Sequence, residues 1–124
     1  MSRPVPDDTA DRALVALVEE IGAVIAELER ARRRAHELQE ERRRGRSWEE
    51  IVLAEERPLI VEQISSAMAS LAGAGGHWRR TQAQALHDEH VSINRIAALY
   101  GVTRQRVSAL LRGQENGLAA PAET

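Results

Sequence analysis

Between Thr103 and Arg112 the sequence TRQRVSALLR carries one amide, two hydroxyls and three guanidiniums, and no acid lies between Asn94 and Gln114. These groups are suited to the edges of base pairs: glutamine can bridge N6 and N7 of adenine, and arginine can bridge O6 and N7 of guanine. On a helix turning about 100° per residue, with Val107 at zero, Leu110, Leu111 and Thr103 fall within about 60° of it. Gln105, Ala109 and Arg112 fall on the opposite side, Ser108 and Arg106 at the flanks, and Arg104 nearer the apolar edge. Ala109 would let the backbone approach closely or touch a thymine methyl. The expected base-reading set is therefore Thr103, Arg104, Gln105, Arg106, Ser108, Ala109 and Arg112. Phosphate contacts are expected from Ser92, Asn94 and Arg95, which open the preceding helix, and from Arg79 and Arg80 before it. The absence of acids separates this face from an ordinary solvated helix surface.

Other chemistry has little support. His87-Asp88-Glu89-His90 can place two imidazoles on one helix face, but no pattern supplies a third ligand, so no metal site is expected. The string Gly73-Ala74-Gly75-Gly76 lacks the following Lys-Ser/Thr and the preceding strand of a phosphate-cradling loop. No nucleophile–base pair stands out. The expectation is a binding protein without enzymatic activity or cofactor.

The residues that must position the reading face lie just upstream, in INRIAALYGVTRQRVSALLR (Ile93 to Arg112). Ala97 falls where two crossing helices exclude a larger side chain. Gly101 follows four residues later, where a helix ends in a left-handed residue that glycine adopts cheaply. Thr103 can cap the next helix through its hydroxyl. Ile96, Tyr100, Val102, Val107 and Leu110 recur at spacings that bury one side of each helix. This combination predicts a helix-turn-helix rather than an ordinary αα-corner.

The chain has 124 residues, net charge −2, 43% hydrophobic residues and no cysteine or phenylalanine. That length predicts one domain with a thin core, and so favours association between chains. Without cysteine there is no disulfide framework or zinc finger. No apolar run approaches the roughly 20 residues that span a bilayer, and the acidic, proline-bearing MSRPVPDDTAD is not a secretory signal. The charge is unevenly distributed. Residues 77–112 hold six arginines against Asp88 and Glu89, whereas residues 1–76 are net acidic. Positive charge thus coincides with the expected reading unit. Every basic residue other than histidine is arginine, which together with the alanine bias suggests a GC-rich genome.

From Thr9 or Asp8, which can cap a helix, apolar or small residues recur at Leu14, Leu17, Ile21, Val24, Leu28, Ala31, Ala35 and Leu38. Alternating steps of three and four define a heptad seam, the signature of a coiled coil. Val15, Val18 and Ile25 widen the stripe and predict contact with a further helix. This helix should reach about Arg44, a span of about 50 Å. Its second half, ERARRRAHELQEERRRGR, reads as a solvated surface laced with pairs such as Glu29–Arg33 rather than a helix lying on DNA or lipid. One helix cannot bury such a seam alone, so a homodimer through Leu14–Leu38 is expected.

Gly45 should break that helix, and Ser47 with Glu50 should form a capping box over a helix to about Glu56, with Trp48 anchored in the core. Pro58 suits the first turn of a central helix in which Ile60, Ile64, Ala67 and Leu71 face inward, with Leu59, Val61 and Met68 alongside. The glycine string at 73–76 should end it. A helix from His77 to His90 should turn Trp78 and Leu86 inward, and Ser92 should cap the next. The tail after Gly113 leaves no room for a β-wing.

The stretch from Ser92 to Arg112 resembles helix-turn-helix regulators, and region 4 of sigma factors in particular, where a GVTRQRV-like turn opens the reading helix. From Gly45 to Arg112 the chain looks like small actinobacterial helix-turn-helix proteins. The resemblance implies promoter-type DNA recognition; nothing upstream resembles the sigma-factor segment that reads the −10 element. The resulting expectation is an all-α chain: a disordered lead-in (1–8), a dimerisation arm (9–46), short connecting helices (47–76), a DNA-binding unit (77–112) and a disordered tail (113–124). Its function would be that of a cytoplasmic, nucleoid-located homodimeric transcriptional regulator binding specific double-stranded DNA. The alternatives are a nucleoid-associated DNA-bridging protein and an adaptor docking on RNA polymerase or a sigma factor. No membrane partner is expected.

Overall fold

A computed structural model describes residues 8–113. Residues 1–7 of the expected lead-in and the tail beyond Gly113, on which the expectation of no β-wing falls, lie outside the described residues. The chain is all-α: α1 (Thr9–Arg43), α2 (Trp48–Ala54), α3 (Ile60–Asp88), α4 (Ile93–Tyr100) and α5 (Arg104–Leu111), with no strand among the described residues. None of these helices is long and apolar enough to cross a membrane. The chain divides into two compact units, Glu20–Leu71 and Met1–Glu19 with Ala72–Thr124.

α1 is built from strong helix formers, and its 35 residues run without a break. Asp8 caps it, its Oδ1 accepting from the Asp11 N–H at 3.1 Å. Arg42 and Arg43 in the last turn suit the negative end of the helix dipole, and Gly45 follows at φ 102°. The expected seam is divided. Val24 and Ala31 are buried within the single chain, Leu17, Leu28 and Leu38 are half-buried, and Leu14, Ile21 and Ala35 are exposed. Part of the seam is therefore already covered without a second chain.

In Glu20–Leu71 the helices are joined by polar clasps rather than a large core. Ser47 and Glu50 form the expected capping box, the Ser47 Oγ accepting from the Glu50 N–H at 3.1 Å and Glu50 Oε1 from the Ser47 N–H at 3.0 Å. Only Ile51 of α2 is buried. Trp48 does not anchor it: the indole is 56% exposed and Arg42 lies over its ring at 5.2 Å. Covering one face with a guanidinium keeps the other in water. Arg34 fastens the link to α3, donating to the carbonyls of Pro58 (2.9 Å) and Glu56 (3.1 Å) beside Glu55 (3.6 Å).

Pro58 stands ahead of α3 rather than in its first turn, because carboxylates fix the start two residues later. Glu62 accepts from the Leu59 N–H and Glu55 from the Ile60 N–H, both at 2.9 Å. Gln63 donates to Glu27 on α1 at 3.2 Å, and Ala67 is buried, while Ile64 is exposed.

The glycine string does not end the helix. α3 runs unbroken through Gly73, Gly75 and Gly76 to Asp88, so the expected boundary at 76/77 and the separate helix from His77 are absent. Glycine weakens a helix by only about 1 kcal/mol per residue, and the flanking runs are long enough to carry the backbone through. The stop comes at His90, a non-glycine residue at φ 71°. Its N–H donates to the His87 carbonyl at 2.9 Å and the Val91 N–H to that of Leu86 at 3.0 Å, closing the free carbonyls of the last turn.

Candidate nucleic-acid interface

α4 and α5 meet through a tight turn at Gly101–Thr103. Ser92 starts α4, its Oγ accepting from the Arg95 N–H at 3.0 Å. Gly101, at φ 69°, ψ 34°, ends it, with Val102 N–H donating to the Ala97 carbonyl at 3.0 Å. Thr103 then caps α5, its Oγ1 accepting from the Arg106 N–H at 3.1 Å. Ile96 and Val107 are fully buried and Ala97 sits between them; Leu86, Val91, Ile93, Tyr100, Val102 and Leu111 pack around this centre. Each residue of the expected corner occupies its expected role.

Fixing these apolar contacts determines what α5 presents. Arg104, Gln105, Arg106 and Arg112 are exposed, whereas Ser108 and Ala109 are half-buried. Thr103 lies at the extended φ/ψ of a cap, so its expected place on the apolar face does not arise; it is exposed with its hydroxyl oxygen accepting the cap bond. Arg112 closes α5 in right-handed backbone geometry. Three exposed polar side chains of α5 and that of its C-cap Arg112 thus lie within one short segment. No acidic side chain occurs on α4 or α5.

Of the expected phosphate ligands, Asn94 and Arg95 are exposed in the first turn of α4, and the Ser92 oxygen is engaged in capping. Arg79 lies over the Tyr100 ring at 4.2 Å, and the Tyr100 hydroxyl donates to Gln82 Oε1 at 2.7 Å. Burial pushes the phenol above its usual value, against the opposing influence of Arg79. Arg80 is half-buried, with His77 Nδ1 3.4 Å away. The Arg79–Tyr100–Gln82 junction has no signature in the sequence pattern, since neither charge nor amide follows an apolar period.

No protein-family model matches this chain, and no curated protein or solved structure is significantly similar to it.

Among the described residues no group of three or more His, Cys, Asp or Glu side chains could hold a metal ion. The backbone N–H of His90 and the backbone carbonyl of His87 close the end of α3. In Glu20–Leu71, a cleft of about 640 Å³ lies among Arg32, His36, Gln39, Arg43, Trp48 and Ile60, with Ala35, Leu38 and Arg42 completing its wall. It is open, and its lining is mostly apolar.

Proposed function

We propose that the chain is a sequence-specific double-stranded DNA-binding regulator of transcription, using α4 and α5 as a helix-turn-helix with α5 as the reading helix. The observation that carries this reading is the polar face of α5. Gln105 and Arg112 are exposed on a helix whose opposite side is locked by Ile96, Ala97 and Val107. A rigid support matters because bidentate recognition of a base edge tolerates little displacement. The surrounding charge also supports it: Arg79, Arg80 and Arg95 belong to the same unit, and α4 and α5 contribute no acid to repel phosphate. Within this reading Arg79, held over Tyr100, is a preorganised phosphate contact rather than a freely moving one.

Competition binding tests the assignment. A regulator should prefer its selected site over random DNA by roughly 10³-fold or more. Gln105→Ala or Arg112→Ala should cost about 1–3 kcal/mol on that site and relax preference at particular base pairs. Loss of Arg79, Arg80 or Arg95 should weaken binding to all sequences alike and flatten its salt dependence. Equal losses from all five substitutions on every DNA would favour the nucleoid-bridging alternative. A wild-type chain that barely binds DNA, and instead retains RNA polymerase, would favour the adaptor.

A further inference from the structure

The second half of α1 distributes its charges unevenly round the helix. Measured from Ala35 at about 100° per residue, Arg32, His36, Leu38, Gln39, Arg42 and Arg43 fall within about 100° of it. Glu29, Glu37, Glu40 and Glu41 fall about 120° to 160° away. The nearer group is the one that lines the cleft of about 640 Å³, together with Trp48 of α2 and Ile60 of α3. All of these residues belong to Glu20–Leu71. The cleft therefore carries three arginines and no acid on its walls, although acids are frequent on the rest of the helix.

Those walls offer apolar contact and hydrogen-bond donors. Ala35, Leu38, Ile60 and the indole of Trp48 supply the first. Arg42 supplies the firmest charge. Its guanidinium lies over the indole at 5.2 Å and donates to the Arg46 carbonyl at 3.1 Å, and it forms no ion pair among the described residues. Both contacts restrict the side chain, so less freedom is lost when it meets an anion. Arg32 and Arg43 are paired with Glu29 (3.4 Å) and Glu40 (3.8 Å), but these pairs lie in solvent, where such contacts are worth little. The acids that border the cleft in sequence are engaged elsewhere: Glu50 accepts from the Ser47 N–H, Glu55 from that of Ile60 and Glu62 from that of Leu59. A largely apolar cavity of this size, with a few placed polar groups, has the character of a small-molecule site, and here the placed charges are positive.

We propose that this cleft binds a small carboxylate with an aliphatic body, the body lying against Ala35, Leu38 and Ile60 beside Trp48 and the carboxylate meeting Arg42. The site does not depend on the regulator reading, because α4 and α5 belong to the other unit. Octanoate, octanol and octylammonium share one tail and differ in the head group, and they serve as probes. In the full chain carrying Trp78→Phe, the emission of Trp48 should shift to the blue and saturate with octanoate. Octanol should bind about tenfold more weakly, for want of the charge-assisted contact, and octylammonium should give no saturable change. Arg42→Gln should bring octanoate down to the affinity of octanol. Ala35→Phe, which fills the cleft from an exposed helix position, should abolish binding of both with helicity unchanged. Ile25→Glu, exposed on α1 outside the cleft, should leave binding as it was. No saturable response to octanoate, equal affinity for octanol or octylammonium, octanoate binding that survives Ala35→Phe, or its loss in Ile25→Glu would overturn the proposal. Should Ala35→Phe lose helicity, the head-group comparison and Arg42→Gln still decide.

Discussion

Replacing Gly73 and Gly75 together by alanine should stabilise the protein, although the sequence suggests a hinge there. Both residues lie inside α3, and a Cβ added at either meets nothing within 4 Å apart from the helix's own backbone. No steric term therefore opposes the change. Glycine inside a helix costs about 0.8–1.0 kcal/mol relative to alanine, through the extra freedom it loses on folding. Two independent replacements should add to about 2 kcal/mol, roughly a 30-fold change in the folding equilibrium. Urea denaturation followed by far-ultraviolet circular dichroism should show a higher midpoint with an unchanged slope. A hinge or turn with positive φ would respond in the opposite direction, because alanine would be strained there. Loss of stability in the double variant would refute the continuous α3.

Three further outcomes follow from the local geometry. Gly101→Ala should destabilise by about 1 kcal/mol, since alanine resists the left-handed conformation but meets no neighbour within 4 Å; His90→Gly, at the corresponding stop of α3, should be tolerated or stabilising in the same thermal-melt comparison. Ile96→Ala should cost about 2–5 kcal/mol in chemical denaturation, because its side chain is fully buried in the α4–α5 core. Bonds from Ser47 hold Glu50 below its ordinary carboxylate value of 4.5, so the stabilisation it gives α2 is present above that value and is lost as pH falls through the lower folded-state value; Trp48 fluorescence in a Trp78→Phe background should report this acid transition, and Glu50→Ala should abolish it.

The corner was legible because every part of it is a local demand made by one residue type. Ala97 answers close approach, Gly101 a left-handed backbone, and Thr103 an unsatisfied N–H. The Ser47–Glu50 box was legible for the same reason. Tertiary competition was not. A 3-4 repeat marks an apolar face without saying which neighbour covers it, so the buried Val24 and the exposed Ile21 look alike in sequence. Gly73-Ala74-Gly75-Gly76 carries the composition of a linker, yet helical runs on both sides outweigh its low propensity. His90 stops α3 without glycine, and Trp48 meets an arginine rather than the core. At the candidate interface, the wheel put Gln105, Ala109 and Arg112 outward; Gln105 and Arg112 are exposed but Ala109 is half-buried, and the cap Thr103 was treated as a helical residue.

Tyr100 is the chain's one tyrosine, and its ring is held between Arg79 and Gln82 beside the α4–α5 core. The protein therefore contains a single phenol whose ultraviolet absorbance comes from the junction between the end of α3 and α4. Because burial raises its ionisation above the ordinary value of 10.0, the folded junction resists alkali, and its stabilisation falls away as pH rises through that higher value. The same ring senses the charge stacked on it. An anion that draws Arg79 away or neutralises it would remove the influence that favours the phenolate, and the alkaline titration would move upward. Were an anion to bind Arg79, the junction would report it optically, without label or substitution.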